Sequence, residues 1–161
     1  MMNKISDVIN AMIEYDTGDI KRIHHFLKVY AYAKAIGELE ELEESVQEIL
    51  EVAAVVHDIG IKKSEEKYQS SAGTYQQIEG PPEAELMLQR LGYEKPFIDR
   101  VCYLIAHHHT YHDIEGIDYQ ILVEADFLVN IYEDGIENIN SIETKIFRTK
   151  TGTQFLKQCY N

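Results

Sequence analysis

The sequence predicts an all-α protein, a single compact helical bundle over residues 1–161. Three observations carry this. Apolar residues recur at spacings of three and four from one end of the chain to the other, the period of a helix with one buried face. No segment shows the apolar–polar alternation of a half-buried strand. Glycine and acidic or hydroxyl residues fall between the periodic stretches, where helices begin and stop.

Ile5, Val8, Ile9, Met12 and Ile13 set a first helix over about 3–15. The stretch DTGD breaks it and offers caps to the next. Ile20, Ile23, Leu27, Tyr30 and Ala31 mark a second helix over about 19–37, ending near Gly37. A third runs over about 45–58 and stops at Gly60. Residues 62–80 are polar and hold two glycines, so they read as a loop with at most one short helix. Pro81 and Pro82 then suit a helix start, where a missing N–H costs nothing, and that helix ends at Gly92. Further helices follow at about 95–108 and 118–133, with weaker ones after 136. No linker, repeat or domain boundary interrupts the series.

The formal net charge of -13 argues against a nucleic-acid polymer or an anionic membrane as partner, because either would repel the chain. A small phosphorylated ligand remains compatible, since a local site can be positive on an acidic protein. Much of the acidity lies in GELEELEESVQEILE (37–51), a solvated helix start and face. Cys102 and Cys159 form no CxxC and no disulfide framework, which fits reduced thiols in a cytosol. Cys102 reads as a small core residue. The N-terminal stretch has too many polar interruptions for a signal peptide, and no run approaches the roughly 18 apolar residues of a membrane span. These features predict a cytoplasmic protein; the pattern leaves association of copies open.

Several polar residues sit where apolar ones are expected. In VVHDIG (55–60), His57 and Asp58 lie among Val55, Val56 and Ile59. An ionised carboxylate in an apolar setting is strongly disfavoured unless it is paired or bound to a metal. A histidine beside it at a helix end can turn both groups towards one point, and a divalent cation there would satisfy both. In ILVEADFLVNIY (121–132), Asp126 falls on the face of Leu122 and Val129. In RIHHFLKVYAYA (22–33), His24 and His25 are adjacent and point about 100° apart, so one can reach a site while the other faces elsewhere; the pattern does not choose. Two nitrogens and two carboxylates from three helices make a mixed set. It suits Mn²⁺, Fe²⁺, Co²⁺, Ni²⁺ or Zn²⁺ better than Ca²⁺. Such a set leaves positions open for water, as metal-assisted hydrolysis requires.

These motifs resemble the HD superfamily of metal-dependent phosphohydrolases. The family pattern is a His, an adjacent His–Asp pair and a distant Asp, all on helices. FLKVYAYA after His25 is similar to the helix that follows the family's first His, which selects His25 over His24. HDIG (57–60) matches the central motif and ADFLVN (125–130) the context of the last Asp. The resemblance spans roughly 20–132 and implies an HD-type bundle with His25, His57, Asp58 and Asp126 as metal ligands. It implies a phosphohydrolase that cleaves a small phosphate ester, a nucleotide or related monoester or diester, by metal-activated water, with Asp58 also sharing the water's proton.

Members with two metals carry a further histidine between the HD pair and a later histidine pair. Here residues 59–106 hold none, so the ligand count favours one divalent transition metal over two, unless a carboxylate such as Glu79 fills the gap. AHHHTYH (106–112) supplies His107, His108, His109 and His112. His108 and His109 are most similar in placement to the later pair and are candidates to contact the phosphate or protonate the leaving oxygen; against this stands a plain charged helix end. Lys62, or Lys63, in the expected loop after the HD pair, is a candidate to neutralise phosphate charge. Glu65 and Glu66 are ordinary loop carboxylates by pattern. Two alternatives follow from the resemblance: a regulatory HD domain that binds metal or ligand without catalysis, and a di-iron oxygenase, against which the missing middle histidine counts.

Overall fold

The computed structural model describes residues 4–161; among them are nine helices and no strand. The start of the first helix expected at residue 3 lies outside the described residues. In chain order the helices are α1 (Ile5–Tyr15), α2 (Ile20–Leu39), α3 (Glu44–Val56), α4 (Gly60–Tyr68), α5 (Gly73–Arg90), α6 (Lys95–His107), α7 (Ile117–Glu133), α8 (Ile139–Ile146) and α9 (Lys150–Cys159). The all-α class holds. None of these helices is long and apolar enough to cross a membrane.

Helices α2, α3 and α7 form the centre. α2 packs on α3 and α7, α3 also packs on α6 and α7, and α5 lies between α4 and α6. The core-facing stripe of α2 is Phe26, Val29, Ala33 and Ile36, at the three-and-four spacing of a helix with one apolar face. α3 and α7 are buried on most sides, with Val52 to Val56 and Ile121 to Asp126 all inaccessible or nearly so. Asp19 starts α2 by accepting from the Arg22 N–H at 3.2 Å. Thr149 does the same for α9, accepting from Gly152 N–H at 2.9 Å.

Two expectations are corrected here. Residues 62–80 are mostly helical: α4 and the first half of α5 occupy them. Lys62 therefore sits on a helix and not in a loop. Pro81 and Pro82 lie inside α5 and do not start it. They leave the Gln77 and Ile78 carbonyls without the N–H partner four residues on, and the helix continues to Arg90. Its end is as expected at Gly92, which takes φ +86°. Gly92 N–H bonds to Gln89 C=O and Tyr93 N–H to Leu88 C=O, both at 3.0 Å, the paired closure of a left-handed helix cap.

Gly37 also has a different role from the one expected. α2 runs past it to Leu39, and a Cβ at Gly37 would collide with the Gln47 side chain of α3. The glycine makes room for the Gln47 amide of α3 instead of stopping the helix. Cys102 is only partly buried, its Sγ donating to Pro81 C=O at 3.4 Å, and both cysteines are free.

Candidate metal centre

α3 ends at Val56, so His57 and Asp58 occupy the turn between α3 and α4. There two consecutive side chains can point to one spot, which successive positions inside a helix cannot do. α2 brings His25 on its buried face, α7 brings Asp126 from one of the most enclosed stretches of the chain, and the end of α6 brings His108.

These groups converge. His25 Nε2 stands 3.2 Å from His57 Nε2, 3.2 Å from Asp58 Oδ2 and 3.2 Å from Asp126 Oδ1. His57 Nε2 stands 3.3 Å from the same two oxygens. His108 Nε2 reaches the other Asp58 oxygen, Oδ1, at 3.3 Å. His57 and His108 are fully inaccessible, while the Asp58 side chain is 22% exposed and opens the cluster to solvent.

Each ring is aimed by its other nitrogen. His57 Nδ1 lies 2.7 Å from Ala54 C=O and His108 Nδ1 lies 2.7 Å from Ile105 C=O. Both Nδ1 atoms must donate, so both Nε2 atoms face the cluster as acceptors in the neutral ring. His25 Nδ1 is 2.7 Å from a carboxylate, Glu133 Oε1, and Lys28 Nζ holds Glu133 Oε2 at 2.7 Å.

The protonation balance reflects this crowding. Burial pulls His25 down, but the facing Asp126 and Asp58 carboxylates outweigh it and push His25 up to about 10. His57 is likewise raised well above the ordinary value against its burial, by the Asp58 and Asp126 charges. Burial acts to raise Asp58 and Asp126, yet the facing histidines hold both below the usual carboxylate range. Without a cation, protons on the imidazoles supply the positive charge that the carboxylates require.

A transition-metal ion fits these residues. Ligand atoms about 2.0–2.2 Å from one ion lie roughly 3.0–3.5 Å from each other, the spacing seen between the two Nε2 atoms and the Asp oxygens. Asp126 Oδ1 and His108 Nε2 are buried with no hydrogen bond of acceptable geometry, and such atoms call for a partner. His25, His57 and Asp126 form one group able to hold an ion, and Asp58, His108 and His109 a second, each with donor atoms within 4.8 Å of one another.

The remaining expected residues divide. His24 is exposed and lines a surface depression with Leu27, Lys28 and Ala31. His109 adjoins the site: its ring centroid is 4.0 Å from that of His108, and its Nε2 is 3.1 Å from Gln76 Oε1. Burial, reinforced by His108, lowers His109 to about 4, so its imidazole is neutral at neutral pH. His107 is turned to Tyr103, Nδ1 to C=O at 2.8 Å and ring on ring at 4.1 Å. His112 is exposed beside Asp113, 3.1 Å away.

Lys62 Nζ donates to Tyr15 C=O at 3.1 Å and lies 5.0 Å over the Tyr15 ring. With Arg22 and Asp16 it lines a depression of about 150 Å³. Asp16 there is pushed up to about 6, chiefly by burial and then by the Asp19 and Asp58 charges, against the opposing pull of Arg22 and Lys62. Lys63 and Glu66 pair with each other at 3.7 Å, and Glu65 pairs with Arg22 at 3.0 Å. Glu79 accepts from Lys67 and Tyr68, each at 2.8 Å, so its oxygens are engaged away from the His–Asp cluster.

Three neighbours were not foreseen from the sequence. Gln76 lies in the stretch read as a loop. Tyr111 stands 3.4 Å from His109 Nδ1 by its hydroxyl; burial first, and the Asp126 and Asp58 charges after it, push that hydroxyl up to about 12. Glu133 has a legible signal, since it follows Asp126 by two helical turns and so shares its face.

Comparison with known proteins agrees with this architecture. The HD domain family model matches residues 22–145. A crystal structure of a predicted HD superfamily hydrolase from an uncultured Thermotogales bacterium superposes with a TM-score of 0.69 at 22% identity, over 96% of this chain and 84% of that one. At that identity the likeness is one of fold. No curated protein matches the chain.

Proposed function

The chain belongs to the HD domain family, and on that premise we propose that it is a metal-dependent phosphohydrolase acting on a small phosphate ester, with nucleotides the first class to assay. One observation carries the reading: His25, His57, Asp58 and Asp126 converge at 3.2–3.3 Å with one carboxylate oxygen buried and unbonded. In this reading those four residues hold one divalent transition metal. Such an ion supplies Lewis acidity and a water activated at neutral pH.

The chain's own groups divide the remaining work. Asp58, partly exposed, faces both the histidine pair and His108, so it is placed to share a proton at the edge of the cluster. The Nδ1–H bonds of His57 and His108 to carbonyls keep both Nε2 atoms aimed inward. His109, neutral and bonded to Gln76, acts as a hydrogen-bonding group beside the substrate rather than as a standing cation. Arg22 and Lys62 line the depression beside Asp16, and the Arg22 Nη1 atom is buried without a hydrogen bond. Asp16, Asp19 and Glu65 line the same depression, and Arg22 is already paired with the latter two.

A second reading has two metals sharing Asp58. The grouping of Asp58, His108 and His109 favours it; the engaged state of Glu79 counts against a carboxylate replacing the missing histidine. The test is metal analysis of the purified protein, then a phosphate-release panel over nucleotides and phosphosugars with each of Mn²⁺, Fe²⁺, Co²⁺, Ni²⁺ and Zn²⁺. Metal-dependent release that vanishes in Asp58→Ala supports the proposal. One bound ion per chain separates the first reading from the second. Metal uptake with no release from any ester would turn the reading to a binding or regulatory role.

A further inference from the structure

We infer that Glu133 is a positioning residue for the metal site, acting through His25, with Lys28 fixing Glu133 in turn. The inference rests on the metal-site reading above and assigns a function to a carboxylate that touches no other member of the cluster in the structure.

The three inward-facing histidines are not held alike. His57 and His108 are anchored by the carbonyls of Ala54 and Ile105, three residues back on their own chain segments. Those anchors are neutral and come with the local backbone. His25 sits within α2, where the carbonyls behind it serve the helix. Its Nδ1 instead meets Glu133 Oε1 at 2.7 Å, across the interface with α7. The carboxylate is itself held: Lys28, one turn after His25 on α2, reaches Glu133 Oε2 at 2.7 Å. Glu133 is only 14% exposed and Lys28 45% exposed, so the bond to His25 is sheltered while the lysine faces solvent.

The chemical consequence follows from the tautomers of imidazole. A carboxylate can only accept, so His25 Nδ1 carries the proton and Nε2 is left as a lone pair when the ring is neutral. The nearby negative charge makes that lone pair more basic than a carbonyl anchor would, and it fixes the ring's rotation. Carboxylates in this relation to a ligating histidine change metal affinity by about 10–100-fold when removed. α7 thus supplies two carboxylates with separate tasks: Asp126 faces the cluster directly, and Glu133, two turns later, stands behind its first histidine.

The experiment uses the full chain, stripped with a chelator and titrated with Co²⁺ alone, reading the dissociation constant, the visible Co²⁺ absorption and the melting of the metal-free protein. Glu133→Gln removes the charge at nearly constant shape. It should weaken Co²⁺ binding about 10-fold, the lower end of the range for such partners, and leave metal-free melting close to wild type. Glu133→Ala also removes the acceptor and should weaken binding towards about 100-fold and alter the Co²⁺ spectrum. Wild-type affinity and spectrum in both variants overturn the inference while leaving the metal site standing. Equal losses in both variants that track a fall in metal-free melting overturn it too, because Glu133 would then act on the fold alone. Should Glu133→Ala fail to fold, wild-type affinity in Glu133→Gln suffices to overturn it. A wild-type chain that takes up no Co²⁺ removes the metal-site reading and this inference with it.

Discussion

His25 Nε2 and His57 Nε2 stand 3.2 Å apart, although one lies within α2 and the other in the turn after α3, and both rings are buried. Two neutral imidazoles facing each other through lone pairs at that distance repel. The arrangement is stable only with something positive between them or on them. The carboxylates of Asp58 and Asp126 at 3.2–3.3 Å make the same demand from the other side.

The metal-free protein should therefore lose stability as pH rises from about 6.5 towards 10. The sign is fixed by which groups shift and in which direction. His25 is raised to about 10 and His57 is raised as well, from an ordinary value near 6.5. Their contribution is complete below about pH 6.5 and fades as pH climbs through the raised values. Asp58 and Asp126 are lowered, so their contribution is present above about pH 4 and is lost only in stronger acid. Metal-free melting should be highest between about pH 4 and 6.5, and fall by about 5 °C or more by pH 9, at roughly 2–4 °C per kcal/mol for a chain of this size. A bound cation replaces those protons, so the loaded protein should hold its melting temperature over the same range. Equal slopes with and without metal would contradict this account.

The histidine run should separate by position. His108 is buried with its Nε2 on Asp58, so His108→Ala should lower both metal affinity and turnover. His109 is bonded to Gln76 and is the outer member; His109→Ala should keep the metal and lose about 10²-fold or more in turnover if it also transfers a proton. His112, exposed beside Asp113, should be silent, within about twofold. Bound metal and turnover measured side by side on the three variants check this. Full turnover in His108→Ala, His109→Ala and their double variant would return the run to a simple helix end.

How far the sequence could be read depended on how each segment packs. α1, α2, α3, α6 and α7 bury stripes of Val, Leu and Ile, and their spacing was plain. His57, Asp58 and Asp126 could be picked out because they interrupt those stripes. α4 and the first half of α5 gave no such signal. They meet backbone to backbone at Gly60 and Gly80, where a Cβ on Gly60 would lie 2.7 Å from Gly80 N. Two helices that meet through bare backbone write no apolar pattern into the sequence, and Pro81 and Pro82 inside α5 read as a boundary. Gln76 was hidden for the same reason. Glu133 shares the face of Asp126 two turns on, a legible spacing, but a carboxylate at a helix end is ordinary and its 2.7 Å approach to His25 is what singles it out.

Glu124 lies two residues before Asp126, yet its task is structural. Its fully buried carboxylate accepts from Arg148 N–H at 2.8 Å, Thr149 N–H at 3.0 Å, Thr149 Oγ1 at 2.6 Å and Gln120 Nε2 at 2.6 Å. It thereby ties α7 to the start of α9. Glu124→Ala leaves buried donors unpaired and should cost about 3 kcal/mol, or roughly 6–12 °C in melting. Co²⁺ stoichiometry at low temperature should be unchanged. A drop of less than about 2 °C would show that water replaces the carboxylate without penalty.

Gly60→Ala tests whether the glycine two residues after Asp58 sets the site's geometry. The added Cβ would stand 2.7 Å from Gly80 N, 2.8 Å from Gln76 C=O and 2.9 Å from Gly80 Cα. All three are backbone atoms, so no side chain can swing away and α4 must move off α5. Overpacking of this kind costs about 1–3 kcal/mol, and it acts on the segment that begins directly after the His57–Asp58 turn. The variant should melt lower and also bind Co²⁺ more weakly, because Asp58 shifts with the start of α4. Gly18→Ala is the control. Gly18 has φ +87° and nothing within 4 Å of a built Cβ, so its substitution strains the turn between α1 and α2 by about 1–2 kcal/mol, where no member of the cluster lies, and should leave Co²⁺ affinity at the wild-type value. If Gly60→Ala lowers melting but binds Co²⁺ like the control, the glycine serves the α4–α5 contact alone and has no part in aiming Asp58.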